Sequence, residues 1–299
     1  MFPGIKRIRG VVLFVTRRNP SAPRSFSIPK QGERMMGFLD WVAHVLPFMA
    51  SPAFAISWYA IGVIGAVAIA IDANTANSAL NPPLKVAWPI IVFFFSLVGV
   101  ALYLVTSRPG DIGRVQGRKA KMERFTQYSK PTWRKVVASA THCVGGDGMG
   151  IMTAMVFARV EGFSFWGEFW FEYLIGYLLG WFIFQTWAMR MHDNGWFESI
   201  WKGGRAEFFS MITVMLGMGL VMRFITPATV GAQPLPDTYA FWTFGALGLM
   251  VGFIFTYPMN YWLVAIGWKH GQGHEDMLKK MNKDERDGRR GQEARTSKQ

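Results

Sequence analysis

Three side chains that could do chemistry lie close together inside a stretch that is otherwise small and apolar. His142, Cys143 and Asp147 interrupt the run 136–159, which is long enough to cross a lipid bilayer. An acidic side chain at the centre of a bilayer costs about 2.5–3.5 kcal/mol, and a glycine-rich helix is weak when it stands alone. Four glycines lie between residues 145 and 150. We therefore expect other helices to enclose this stretch, with the glycines allowing close approach.

The types of these side chains suggest a metal site. Helical spacing places His142 and Met149 on one face, with Met152 or Thr153, and it places Cys143 and Asp147 on the adjacent face. The fifth apolar run adds four methionines on one helix face, Met211, Met215, Met218 and Met222, which we call the methionine stripe. Thioethers suit Cu(I). The hypothesis of a copper or zinc site assigns these ligands: His142, Cys143, Asp147, Met149, Met152, Met215 and Met218.

The same residues allow two other interpretations. Methionine also fills gaps in helix packing, and His142 with Asp147 could form a hydrogen-bonded core that fixes helix register. His142 and Met149 are roughly 10.5 Å apart along a helix, so one helix cannot present both to a single ion. They could instead mark successive positions along a path. The sequence leaves these alternatives open.

Further polar residues fall within the apolar runs, where ionisable groups suggest function by default. They are Glu172, Gln185, Arg223 and Asn260. Glu172 could pair with Arg159 or Arg223, which would be a structural role. Gly176 and Gly180 have the four-residue spacing of close helix contacts in membranes.

Six apolar runs of membrane-spanning length define the predicted fold, which is all-α, a polytopic bundle of transmembrane helices. They cover about residues 52–71, 84–106, 136–159, 168–189, 207–226 and 239–268. The expected segments are a basic disordered tail at 1–34, an interfacial segment with two spans at 35–106, a basic loop at 107–135, a four-helix domain at 136–268 and a charged tail at 269–299.

The basic residues predict the orientation of these spans. Residues 1–34 contain eight Lys and Arg, 107–135 contain nine and 269–299 contain nine, whereas 72–83, 160–167 and 227–238 contain none. Because cytoplasmic loops are rich in Lys and Arg, this alternation predicts that both termini are cytoplasmic. The net charge of +13 is then explained by orientation and contact with anionic lipid, and we expect no nucleic-acid partner.

Several classes of function find no support in the sequence. The single cysteine excludes an intramolecular disulfide framework. The chain contains no P-loop, dinucleotide fingerprint, nucleophile elbow or His-Glu-x-x-His motif, and no haem or nucleotide signature. We therefore assign no catalytic residue and no residue that binds an organic cofactor.

Short motifs in the second half of the chain are shared with a known family. They are Ala140–Cys143 (ATHC), Phe171–Trp181 (FEYLIGYLLGW), Phe184-Gln185, Arg205-Ala206-Glu207 and Thr256–Leu263 (TYPMNYWL). Over about 133–270 the chain resembles domain of unknown function 4396, an uncharacterised family of bacterial membrane proteins. The resemblance implies a location in the bacterial inner membrane, but no activity. The family pattern has a second cysteine and then an acid where this chain has Asp147 and Ile151, which weakens a two-cysteine metal site.

Two functional hypotheses follow from these patterns. The first is transport or handling of a transition metal or small solute, along a path lined by His142, Cys143, Asp147 and the methionine stripe. The second is a non-catalytic accessory or assembly subunit, in which Gly245, Gly248 and Gly252 would meet a partner. The expected partners are the lipid bilayer and either another membrane-protein subunit or a second copy of the chain.

Overall fold

The computed structural model describes residues 31–191, 195–269 and 271–296. A short N-terminal unit reaches Phe38, and the main unit begins at Leu39. All regular elements of the described residues are helical, as the sequence predicts. The sequence predicts a disordered tail at residues 1–34. Residues 1–30 of this tail lie outside the described residues.

Helices account for most of the described chain. Their bounds are α1 Gln31–Val45, α2 Pro52–Asn74, α3 Pro82–Thr106, α4 Arg118–Ser129, α5 Thr132–Val160, α6 Phe165–Leu179, α7 Thr186–Arg190, α8 Trp196–Leu220, α9 Thr226–Val230, α10 Tyr239–Ala265 and α11 Glu275–Thr296. π-helical turns join α6 to α7 at Gly180–Gln185, and α8 to α9 at Val221–Ile225. The C-terminal segment, expected to be a charged tail, is therefore mostly helical.

Length and composition make four helices of the described chain suitable for crossing a membrane. They are Pro52–Asn74, Pro82–Thr106, Trp196–Val230 and Tyr239–Ala265. The chain is therefore an integral membrane protein by the character of its helices. α5 carries more polar residues than these four, and α6 is only 15 residues long before its π-helical turn.

Hydroxyl side chains fix the starts of three long helices. Ser51 accepts a hydrogen bond from the Phe54 amide, Ser164 from the Gly167 amide and Thr238 from the Phe241 amide. Each bond satisfies one of the backbone donors that a helix leaves free in its first turn. The apolar runs therefore begin as helices at defined positions.

α5 is enclosed by its neighbours, as its sequence predicts. His142, Cys143 and Asp147 are all buried, together with most of the helix. A Cβ on Gly150 would lie 2.6 Å from the Cα of Gly176, which is closer than real Cβ atoms come to backbone. Glycine at these positions therefore lets α5 and α6 touch through their main chains.

α3 does not run straight through the bundle. At Ser96 the backbone has φ 50° and ψ −130°, a conformation that a non-glycine residue rarely adopts. The rings of Trp88 and Tyr103 pack 5.5 Å apart, whereas 15 residues of straight helix would separate them by roughly 22 Å. A Cβ on Gly99 would also lie 2.8 Å from the Cα of Val92. α3 is therefore a helical hairpin that turns back at Ser96.

Both ends of this hairpin lie beside the end of α2. The Tyr103 hydroxyl donates to Asp72 at 2.7 Å, and Asn77 donates to the Ser107 carbonyl at 2.8 Å. The six-span prediction places 72–83 and 107–135 on opposite sides of the membrane, whereas these bonds bring the two segments together at one end of the bundle. The run 84–106 has the length of a span, but its backbone turns back at Ser96.

The main unit therefore has two distinct ends, which we call the loop end and the far end. The loop end contains Asn77 and Ser107, and Gln272 joins them there by donating to the Thr106 carbonyl at 2.9 Å. The far end contains Met49, whose carbonyl accepts a bond from Thr243 at 2.8 Å. Between these ends the chain makes five passes, in α2, α5, α6–α7, α8–α9 and α10. Residue 49 and the C-terminal helix thus lie at opposite ends, unlike the six-span prediction.

The glycines of α10 are covered from within the chain. A Cβ on Gly245 would lie 2.7 Å from the Met152 methyl group, and one on Gly252 would lie 2.9 Å from the Val214 carbonyl. A Cβ on Gly248 would overlap the sulfur of Met218. The hypothesis that these three glycines meet a partner subunit was wrong, because the chain's own side chains fill the space.

The hairpin can be tested by labelling single cysteines introduced into a Cys143→Ser background. We expect Ala76→Cys and Gly110→Cys to react with a membrane-impermeant maleimide from the same side of the membrane. Gly162→Cys, at the far end, should react only from the other side. Labelling of residue 76 together with residue 162 would restore the six-span alternation.

Candidate functional site

The polar residues of the bundle meet in a cluster that draws on three parts of the chain. Cys143 and Asp147 come from α5, Glu207 and Ser210 from α8, and Lys269 from the segment after α10; we call these five residues the buried cluster. Cys143, Asp147, Glu207 and Ser210 are 0% exposed and Lys269 is 2% exposed. Two carboxyl groups and an ammonium group are thus withdrawn from water together.

The end of α10 turns Lys269 inward. Gly267 has φ 72°, a left-handed conformation that glycine adopts without strain. The amides of Trp268 and Lys269 both donate back to the Leu263 carbonyl, at 2.9 and 3.1 Å. This helix stop reverses the chain, so that the lysine enters the bundle instead of reaching the headgroups.

The Lys269 ammonium is the centre of the cluster. It lies 2.6 Å from the Cys143 sulfur, 2.7 Å from the Ser210 hydroxyl and 3.1 Å from Glu207 Oε2. The three donors of an ammonium group are thus satisfied. Glu207 Oε2 also accepts the Cys143 thiol at 3.2 Å, so Lys269 and Glu207 form a buried ion pair within a wider network.

Amides extend this network on the Cys143 side. Asn260 Oδ1 accepts from Ser139 at 2.9 Å and lies 3.8 Å from the Cys143 sulfur, and Gln185 lies 3.8 Å from the same sulfur. Asn260 in turn donates to Thr256. These bonds hold the thiol in one orientation and connect α5, α10 and the π-helical turn after α6.

Asp147 differs from the other members because its charge has no partner of its own. Neither oxygen of Asp147 has a hydrogen bond within the described chain, and the same is true of Glu207 Oε1. A Cβ on Gly180 would lie 2.7 Å from Glu207 Oε1 and closer still to Asp147 Oδ1. The two carboxyl groups therefore face each other across the space left by a glycine.

The charges of the cluster do not balance if both carboxyl groups are ionised. Lys269 supplies one positive charge and is bonded to Glu207, not to Asp147. In a medium of low dielectric constant, two adjacent carboxylates with one cation are strongly disfavoured. A further positive charge, either a proton or a metal cation, must therefore accompany Asp147.

Gly180 begins a π-helical turn that contributes to this geometry. In this turn the Trp181 carbonyl accepts the backbone amide of Thr186, five residues later, and it also accepts the Thr186 hydroxyl at 2.9 Å. The second π-helical turn repeats the arrangement, since Thr226 donates to the Val221 carbonyl at 3.0 Å. The turn after α6 brings both Gly180 and Gln185 to the cluster, and such turns are frequent at functional sites.

A small polar cavity lies between the cluster and the loop end. Its volume is about 20 Å³, enough for roughly one water molecule, and its lining includes Asn81, Ser139, His142, Gln185 and Lys269. His142 is thus part of the wall of this cavity. Met149, seven residues along the same helix face, is 45% exposed at the surface of the bundle.

The structure brings together some of the predicted site residues and separates others. Cys143, Asp147, Gln185 and Asn260 belong to the network, and His142 lines the adjacent cavity. Met152 and Met218 pack against glycines of α10, and Met215 lies under an apolar groove with Phe165 and Trp166. Their contacts are those of gap-filling side chains. Among the described residues, no group of three or more His, Cys, Asp and Glu is arranged to hold a metal ion.

The outer polar residues form a separate group near the far end. Arg159 makes its ion pair with Glu168, and no ion pair joins Glu172 to Arg159 or Arg223, the two partners that the sequence left open, among the described residues. Arg223 lies over the rings of Phe165 and Phe224, 5.6 and 5.9 Å from their centres. Glu172 is buried in the same region.

The sequence analysis did not assign the two residues that form the ion pair of the buried cluster, Glu207 and Lys269. Glu207 begins a predicted span and belongs to a family motif, and Lys269 is the first charge of the predicted tail. Charged groups within membrane helices usually pair with one another. Searching for a cation to balance Asp147 would have drawn attention to Lys269, which directly follows the last apolar run.

Comparison with known proteins locates the family region. Residues 132–269 match the family described as "Domain of unknown function (DUF4396)", which confirms the resemblance seen in the sequence. The matched region begins at α5 and ends at Lys269, so it includes every member of the buried cluster. The chain matches no curated protein and no solved structure.

Gly180→Ala tests whether the facing carboxyl groups need the space at residue 180. The added methyl group would overlap both carboxyl groups, and we expect the free energy of unfolding to fall by about 1–3 kcal/mol. Thermal unfolding in mild detergent measures this. Gly110→Ala is the control, because nothing lies within 4 Å of a Cβ there. Equal stability of the two variants would contradict the geometry.

Glu207→Gln and Asp147→Asn should differ sharply although both remove one buried carboxylate. Glu207→Gln leaves the Lys269 ammonium buried without a carboxylate, which should lower the free energy of unfolding by about 3–5 kcal/mol. Asp147→Asn removes a carboxyl group that no described side chain balances, and the amide can donate to Glu207, so its stability should equal or exceed that of the wild type. Chemical denaturation measures both, and similar losses would show that Asp147 also pairs with Lys269.

Proposed function

We propose that this protein is a membrane transporter or channel-like carrier in which the Asp147–Glu207 pair binds and releases a proton. The observation that supports this most directly is the unbalanced charge of the cluster. Asp147 is fully buried, its oxygens have no hydrogen bond in the described chain, and it faces a second carboxyl group. A proton shared between the two groups would satisfy both the charge and the lone pairs.

A proton fits this site better than the copper or zinc ion suggested by the sequence. The sulfur contacts of Cys143 are with Lys269, Glu207, Asn260, Gln185 and the Ser139 carbonyl, and Met152, Met215 and Met218 pack against glycines or an apolar groove. An ammonium group 2.6 Å from the thiol would compete directly with a metal cation. The neighbouring cavity, at about 20 Å³, has room for one water and not for a hydrated ion.

The membrane placement that supports this proposal has the loop end in the cytoplasm. Residues 107–135 and 269–299 carry nine basic residues each, whereas 160–167 and 227–238, at the far end, carry none. Five passes would then span the bacterial inner membrane, and the α3 hairpin would enter it from the cytoplasmic side and return. Re-entrant backbone is tolerated at membrane depth only when protein covers it, and Trp88, Ser96 and Tyr103 are all buried.

A route from the cytoplasm to the site follows from this placement. The small cavity opens toward the loop end, and His142 and Lys269 are both in its wall. Histidine gains and loses protons near neutral pH, and one ordered water can bridge polar groups over a gap of this size. We propose that a proton reaches the cluster past His142.

The other expectations from the sequence remain as weaker proposals. A small solute could move together with the proton, and a membrane-protein subunit or second copy could cover the outer surface. The accessory-subunit hypothesis has lost its main argument, because Gly245, Gly248 and Gly252 are filled internally.

Proton movement can be measured with purified protein in liposomes that contain a pH-sensitive dye. We expect an imposed potential to drive acidification with the wild type, and Asp147→Asn to reduce the rate to that of protein-free liposomes. Asp111→Asn is the control, since Asp111 is an exposed carboxylate at the loop end. The metal content of the wild type and of Cys143→Ala is measured in the same samples. Stoichiometric copper or zinc in the wild type, but not in Cys143→Ala, would contradict the proposal.

A further inference from the structure

A second polar cavity lies at the loop end, away from the buried cluster. Its volume is about 180 Å³, and it is bounded by the loop between α2 and α3, the start of α4 and the start of α11. The charged groups of its lining are Lys85, Arg118 and Lys121, with His274 beside them. Among its described lining residues there is no acidic side chain. We call this cavity the basic pocket.

Two of these cations have no carboxylate partner among the described residues. The side chains of Lys85 and Arg118 form no ion pair or hydrogen bond with any described residue, and the Lys121 ammonium donates only to the carbonyls of Thr75 and Ala76. Other basic residues of the loop end do have carboxylate partners. These pairs are Arg108–Asp72, Lys119–Glu285, Arg124–Asp111 and Lys135–Glu275.

Carboxylates at the loop end form ion pairs with basic residues that do not line the basic pocket. The hydrogen bond from Arg124 lowers the pKa of the Asp111 carboxyl group, and the bond from Lys119 does the same for Glu285. Asp276 lines a smaller adjoining cavity, which shares Met191, His274 and Met277 with the basic pocket, and it pairs with Lys279. The described lining of the basic pocket thus has three basic side chains and no carboxylate.

The backbone adds to this positive field. α3 begins at Pro82 and α4 at Arg118, and both residues line the basic pocket. Neither Asn81 nor Gly117 caps its helix with a side chain. The positive ends of two helix dipoles thus point toward the same space as the cations. His274 fixes the opposite wall, because its ring is hydrogen-bonded to the Ala79 carbonyl.

We propose that the basic pocket binds a phosphate group, supplied by the headgroup of an anionic phospholipid or by a soluble phosphate compound. A phosphate group supplies the missing negative charge and accepts bonds from Lys85 and Arg118 at once. The pocket is large enough for a phosphate with its ester substituent. It also lies at the end of the bundle where the basic loops would meet the cytoplasmic leaflet. The site shares no residue with the buried cluster.

Native mass spectrometry of the full-length protein tests this with dioleoylphosphatidylglycerol, dioleoylphosphatidylcholine and inorganic phosphate as separate probes. We expect the anionic lipid to bind the wild type more tightly than the zwitterionic lipid does. Lys85→Gln/Arg118→Gln should weaken the anionic lipid about 25-fold, a factor of about five for each basic side chain. Lys130→Gln/Arg114→Gln removes two charges of the same basic loop, and because neither side chain lines the basic pocket it should weaken the anionic lipid clearly less.

Each outcome separates the sources of the phosphate. Tight binding of the anionic lipid alone identifies a lipid headgroup, and protection by inorganic phosphate against that lipid identifies a soluble compound. An equal loss in the two double variants would overturn the proposal, since it would show only general surface charge. Arg118→Gln alone, at an exposed position, guards against misfolding of the double variant and should lose about fivefold. Proton movement should be unchanged in all of these variants, so this test stands apart from the proposed function.

Discussion

Withdrawing the Lys269 ammonium from water is the constraint on which the rest of the bundle depends. The effective penalty for burying an ion is several kcal/mol, and it is offset only when every donor has a good acceptor. Lys269 meets Cys143, Ser210 and Glu207, which arrive from α5 and α8. Three passes of the chain must therefore hold fixed positions relative to one another. The glycine contacts of α5, α6 and α10 make those positions possible by removing side chains from the interfaces.

The α3 hairpin completes the enclosure from the loop end. Its first arm packs against α5, where a Cβ on Gly145 would lie 3.1 Å from Ala87. Residues at its start also help to form both polar cavities of the loop end. One broken helix therefore shields the buried cluster, narrows the access to it and provides a wall for the basic pocket. A straight helix in its place would leave the start of α5 open to lipid.

Much of the fold could be predicted from the sequence, because apolar runs and caps are local signals. α5, the α6–α7 pair and α10 begin and end near the predicted bounds, whereas α8 begins eleven residues before the predicted 207 and α11 was not predicted. The enclosure of α5 followed from the cost of Asp147 in lipid. The hairpin could not be predicted, because Ser96 is an ordinary residue in an apolar run and only its φ of 50° marks the turn. Of the site, Cys143 and Asp147 were found from their unusual surroundings. Glu207 and Lys269 were overlooked, because each sits at the edge of an apolar run where charge needs no explanation.

The π-helical turn at Gly180–Gln185 makes the length of this segment as important as its composition. A regular helix would place successive residues about 100° apart, so the extra residue in the turn sets the rotation of everything after it. Deleting one residue between 181 and 184 would restore regular helical bonding and leave the Thr186 hydroxyl without the carbonyl that it now satisfies. The same deletion would turn Gln185 away from Cys143 while Gly180 kept its place. Among proteins that match the same family model, insertions and deletions here should therefore be rarer than substitutions, and a protein that lacks the extra residue would carry a differently assembled centre.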